Sequence, residues 1–140
     1  MYWCCVVGLF PVAFAIVDSE TTANWSWFVH ELGKVVDGKC QITFISDRNL
    51  GLLEAMPKVV PSVHHGYCLQ HLKSNLRDQM KGIDNGFRDH LVSSLGDCAY
   101  KPTVVVFHEK LAKLKEEGKQ RAHNFFKDLA PEHCANTYFR

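Results

Sequence analysis

The run Ile42 to Ala55, ITFISDRNLGLLEA, decides how the rest of the chain is read. Its first four residues are β-branched or aromatic, the composition of a short buried strand. Ser46, Asp47 and Arg48 then form a polar tip at the strand's carboxyl end. Leu50, Leu52, Leu53 and Met56 come next at the spacing of a short helix, predicted to stop near Pro57, which has no N–H to give a helix interior. Strand, acidic tip and helix make the opening of an α/β unit.

Upstream, Leu9 to Val17 (LFPVAFAIV) reads as another buried strand, with Pro11 marking an edge or a beginning. The polar stretch from Asp18 turns the chain, and Ser19, Thr21 or Thr22 supplies a cap for the helix after it. Trp25, Phe28, Leu32, Val35 and Val36 recur at helical spacing, and Asp37-Gly38 ends that helix. Downstream, a third strand is expected near 63–67. After it the pattern is helical: Leu69, Leu72 and Leu76; Phe87, Leu91 and Leu95; Val104, Phe107, Leu111 and Leu114; Ala122, Phe125, Phe126 and Leu129. Pro102 suits the first turn of the third of these helices, and Pro131 opens a last short one. Glu109 and Lys113 form an i,i+4 pair on an exposed face. The predicted fold is α/β: strands near 9–17, 42–46 and 63–67, parallel because helices join them, and an all-helical region after them. The boundary falls between 1–68 and 69–140, within one structural unit.

Composition restricts function less than fold. The 140 residues are 46% hydrophobic, enough for one domain with a core. Lys and Arg number 16 against 15 Asp and Glu, so charge gives no footprint of nucleic-acid binding. The six cysteines are irregularly spaced and include no C-x-x-C pair, so reduced thiols are expected rather than a disulfide scaffold. Met1 to Val17 is uncharged, yet Gly8 and Pro11 interrupt it and no basic leader or small-residue cleavage site accompanies it. Buried strands fit this run better than a signal or a membrane span.

Two features carry chemistry. Asp47 stands at the carboxyl end of a strand, where α/β sheets gather ligands. A carboxylate there can hold Mg²⁺ or cap the helix beginning near Asn49, and pattern alone favours the cap. Cys68 and His71 form a C-x-x-H pair, which is half of a zinc site. His64, His65, Cys98, His108, His123, His133 and Cys134 are near in sequence terms, but none forms a second pair, so zinc is not expected. Trp25, Trp27 and Phe28 could stack bases, although their helical spacing favours core packing. The lysines from Lys110 to Lys127 could touch phosphates, although Glu109, Glu116 and Glu117 interleave with them. Glycine-rich phosphate loops, G-x-S-x-G and H-E-x-x-H are absent from the sequence.

Four segments in order resemble the central part of plant Mutator-like element (MULE) transposases: GLFPVAFAIVDSE (8–20), NWSWFVHEL (24–32), ITFISDRNLGLLEA (42–55) and HHGYCLQHLKSN (64–75). YKPTVVVFHEKL (100–111) and the stretch to Phe139 resemble the helical region that comes next in that family. The resemblance implies an incomplete ribonuclease H-like sheet with a helical insertion. It implies a DDE-type enzyme in which three acids hold two Mg²⁺ ions for phosphodiester cleavage and strand transfer. Asp47 matches the second acid, and Cys68 with His71 matches a C-x-x-H motif of the family core. DNA is the implied partner and the nucleus the implied location. No membrane association or small-molecule substrate is expected.

The departures from the family carry weight too. The family's first acid precedes its equivalent of GLFPVAF and its third comes after the helical region; neither has a match here. Asp18 and Glu20 are poor substitutes, because ribonuclease H-like strand order puts them about 14 Å from Asp47. The resemblance therefore implies a transposase fragment that does not cut DNA alone. The alternatives are a domesticated nuclear binding or regulatory module and a small zinc-binding helical protein. A sheet without its central strand is also expected to be weakly stable, or to self-associate through open edges.

Overall fold

The computed structural model describes residues 11–36, 42–135 and 138. The apolar start of the chain, the Asp37-Gly38 stop and three of the cysteines (Cys4, Cys5 and Cys40) lie outside the described residues. The described elements run α1 (Thr22–Val36), β1 (Thr43–Ser46), α2 (Leu50–Val59), β2 (His64–Tyr67), α3 (Leu69–Gln79), α4 (Asn85–Ala99) and α5 (Val104–Phe126), with a 3-10 turn at Pro131–His133.

The expected parallel pairing is present. β1 and β2 run parallel, with Thr43 opposite His64 and Ser46 opposite Tyr67. The Cys68 N–H donates to the Ser46 carbonyl at 2.7 Å and carries the ladder one residue further. α2 is the crossover that parallel strands require. Asn49 is its N-cap, accepting from the Leu52 N–H at 3.2 Å. The helix does not stop at Pro57 as expected but continues to Val59. The residue loses one donor near its last turn, and the Val60 N–H still reaches the Met56 carbonyl at 2.9 Å.

The strand expected at 9–17 is not formed over its described part. Residues 11–17 carry no ladder, and Val12, Phe14 and Ile16 are exposed, the last two to 91% and 93%. A strand exists through its neighbour's hydrogen bonds, and among the described residues the sheet has two strands, both elsewhere. For the same reason β1 is not the buried strand expected. Ile45 is exposed, and no residue of β1 is fully buried.

α1 begins where its polar turn predicts. Thr21 is the residue that caps it, its Oγ1 accepting from the Asn24 N–H at 3.2 Å. Val29 is the buried centre of its face, whereas Val35, expected in the stripe, points outward. Val29, Leu52 and Met56 form a small core between α1 and α2, with Trp25, Phe44, Val59 and Val60 packed on it. Trp25 thus packs as the helical spacing implies, edge-on to Phe28 at 6.1 Å. Gly51 makes this approach possible: a Cβ there would stand 2.9 Å from backbone atoms of Glu20, Thr21 and Thr22.

The larger core belongs to α3, α4 and α5, whose predicted stripes converge. Leu72, Leu76, Met80, Leu91, Leu95, Phe107, Leu111 and Leu114 are buried together with Ala122, Phe126 and Leu129. The third and fourth stripes turn out to share α5, which is kinked at Lys119 (φ 51°, ψ −144°). Pro102 stands just before the cap of that helix, Thr103, rather than in its first turn. Lys113 reaches Glu117 at 3.8 Å instead of the expected Glu109. Tyr67 and Leu69 pack against this core, so β2 and the start of α3 join the two halves.

Candidate functional site

Ser46, Asp47 and Arg48 leave the carboxyl end of β1; Tyr67 and Cys68 leave the carboxyl end of β2. Because the strands are parallel and in register, both polar ends emerge on the same side. Asp47 is exposed, and its Oδ1 accepts from the Asn49 N–H at 3.1 Å. It shapes the turn, then, but the helix cap is Asn49 and not Asp47. That leaves the second carboxylate oxygen of Asp47 outside the capping arrangement.

Cys68 is the N-cap residue of α3, without the oxygen cap that Asn49 gives α2. His71 lies in the first turn of α3, exposed. Hydrogen bonds from the backbone N–H and then the imidazole of His71 draw the Cys68 thiol below its ordinary pKa of 9.0. The bond to Cys68 raises the His71 imidazole above 6.5, and the charge of Asp47 adds to the rise. The structure therefore brings Asp47, Cys68 and His71 into one electrostatic neighbourhood. Cys68 and His71 form a pair biased toward thiolate and imidazolium, with a carboxylate within field range.

Behind this tip is an aromatic layer that sequence reasoning missed. Ser46 Oγ donates to the Asp47 carbonyl and lies 2.7 Å from His65 Nε2. A hydroxyl has one proton, so His65 Nε2 is the donor in that contact. His133, from the 3-10 turn, donates through Nδ1 to the His65 carbonyl and stacks on Tyr67 at 4.8 Å. The Arg48 guanidinium lies 5.9 Å from the Tyr67 ring centre. His65 is buried, and desolvation, then the charges of His133 and His64, lowers its pKa below 6.5. The separation of 68 positions between His65 and His133 explains why no local pattern announced this contact.

Glu20 is also differently placed from the expectation. Its Oε2 accepts from Asn49 Nδ2 at 2.9 Å, and Asn49 bonds Asp47 through its backbone. The two carboxylates flank a single asparagine, closer than three strand spacings. The turn before α1 reaches this position by packing its backbone, from Glu20 to Thr22, against Gly51 of α2. Asp18 faces Asn24 and Ser19 instead, and those hydrogen bonds, Asn24 first, lower its pKa.

Residues 5–75 match the MULE transposase domain. The chain belongs to the MULE transposase domain family. The match takes in both strands, Asp47, Cys68 and His71, and ends inside α3. The chain is also similar to Protein FAR1-RELATED SEQUENCE 7 of Arabidopsis thaliana, at 23% identity over 74 residues. That alignment covers 53% of this chain but 10% of the relative. No solved structure gives a significant match.

The DDE pattern associated with the resemblance calls for carboxylates around two Mg²⁺ ions, and Mg²⁺ takes hard oxygen donors. At this MULE tip Asp47 stands with a thiol and an imidazole, both softer donors. Glu20 is engaged with Asn49. Among the described residues no group of three or more His, Cys, Asp or Glu is gathered that could hold a metal ion. This donor set does not fit a pair of magnesium ions. Among the described residues, too, no helix is long and apolar enough to cross a membrane.

Proposed function

We propose that this chain is a core segment of a MULE-type DNA transposase, of ribonuclease H-like, DDE-type ancestry, that does not cleave DNA by itself. The observation that carries the reading is the position of Asp47. It projects from the carboxyl end of β1, beside the Cys68–His71 pair at the end of β2, inside the region that matches the MULE family. Asp47 is the descendant of a metal-binding carboxylate, and DNA phosphodiesters in the nucleus are the substrate of the whole enzyme. In this chain the residues do something simpler. Asn49 and Ser46 fix the backbone of the tip, and Asp47 keeps an exposed carboxylate there whose charge reaches His71.

Strand cleavage needs further acids around Asp47, so the purified chain is expected to leave supercoiled plasmid intact with Mg²⁺ or Mn²⁺. Nicking that disappears in Asp47→Ala would overturn this and make the chain an active nuclease.

The donor set favours a second reading, a transposase-derived module that binds nuclear partners without cutting. Retention of DNA in a mobility-shift assay, unchanged by Asp47→Ala and without cleavage, is its expected signature. Absence of any retained DNA would count against it.

A further inference from the structure

We propose that α3 and α4 form a phosphate-binding groove centred on Lys73. The groove measures about 450 Å³, and its polar lining comprises Gln70, Lys73, Ser74, Arg77, Asp89 and Ser93. Lys73 is half-buried and forms no ion pair among the described residues. Its position is built rather than incidental. A Cβ on Gly96 would stand 2.6 Å from Lys73 Nζ and 2.8 Å from Cε. The glycine of α4 therefore makes the space that the ammonium occupies. With no carboxylate partner among the described residues, the Lys73 ammonium is available for charge-assisted hydrogen bonds to an oxyanion in the groove.

Arg77 lies one turn further along α3, about 6 Å away at 1.5 Å per residue. Its contact with Asp89 is 3.4 Å between two exposed groups, a pair weak enough to be exchanged for a ligand. Two cations against one carboxylate leave the groove with one net positive charge. Gln70, Ser74 and Ser93 add neutral donors suited to phosphate oxygens. Among the described residues, the groove's lining includes no aromatic ring on which a base could stack. It therefore recognises the phosphate group and not a base, whether that phosphate is free or part of a single nucleic-acid strand. The site is separate from Asp47 and does not rest on the function proposed above.

The full chain is titrated with inorganic phosphate and, separately, with a short single-stranded oligonucleotide, read by calorimetry. Lys73→Met is expected to weaken binding about tenfold or more, while Lys58→Met, on α2, changes it by less than about twofold. Gly96→Ala keeps every charge and moves only the flexible end of Lys73, so it is expected to weaken binding by less than Lys73→Met does. Stronger binding of the oligonucleotide than of phosphate assigns a strand's phosphodiester; equal binding assigns free phosphate. Failure of both ligands to bind, or equal losses in Lys73→Met and Lys58→Met, overturns the proposal. The titration has no cleavage step, so either result stands apart from the plasmid assay.

Discussion

Cys68 and the thiols of the helical core respond to opposite environments. His71 lowers the pKa of Cys68, whereas burial pushes Cys98 up to about 11 and Cys134 up to about 12. Since the thiolate is the reactive form, brief iodoacetamide treatment near neutral pH is expected to label Cys68 well ahead of the other two. His71→Ala should slow labelling of Cys68, and peptide mass spectrometry reads both effects. His65 gives a pH dependence of stability. Its folded pKa lies below 6.5 because burial, His133 and His64 disfavour the charged form. The unfolded chain therefore takes up this proton first as pH falls below 6.5, and stability declines toward the folded pKa. The urea midpoint is expected to drop between pH 7.5 and 5.5, with a smaller drop in His65→Gln. At this scale Asp47 was legible as a strand-end carboxylate, and Cys68 with His71 as a motif. The cap at Asn49 was overlooked although its type favours that role. The His133 contact was not legible, because stacking between distant segments leaves no local periodicity.

Among the elements, helices were legible and strands only partly so. A helix closes its own hydrogen bonds, so the stripes of α3, α4 and α5 predicted their buried faces, except at Phe87 and Val104, which open their stripes near the helix starts and are exposed. The run VAFAIV has strand composition, but a strand depends on a neighbour the sequence does not display, and residues 11–17 remain outside the sheet. Pro57 misled for a different reason: a missing N–H close to a helix end removes little. The α1–α2 junction depends on Gly51. Gly51→Ala would drive a methyl against backbone and is expected to cost about 1–3 kcal/mol in urea unfolding. The kink of α5 holds a lysine where glycine is at ease. Lys119→Gly is expected to stabilise the chain by about 1 kcal/mol, read as a higher Tm.

In the whole molecule, the candidate site sits between the two cores. β1, which presents Asp47, packs on the smaller α1–α2 cluster through Phe44, while β2, which leads to Cys68, meets the large core of α3, α4 and α5 through Tyr67. Val12, Phe14 and Ile16 alternate along an exposed apolar segment that forms no ladder. Such a segment invites pairing between copies. Size-exclusion chromatography is expected to give concentration-dependent elution, diminished in Phe14→Ser/Ile16→Ser. Elution as a monomer at all concentrations would refute this.

The convergence of Asp47, Cys68 and His71 at the parallel strand ends is tested most directly by an NMR pH titration of the His71 imidazole. The wild-type ring is expected to titrate above 6.5, and to fall in both Cys68→Ser and Asp47→Asn, with the larger fall in Cys68→Ser. A His71 titration that neither substitution moves would contradict a shared site.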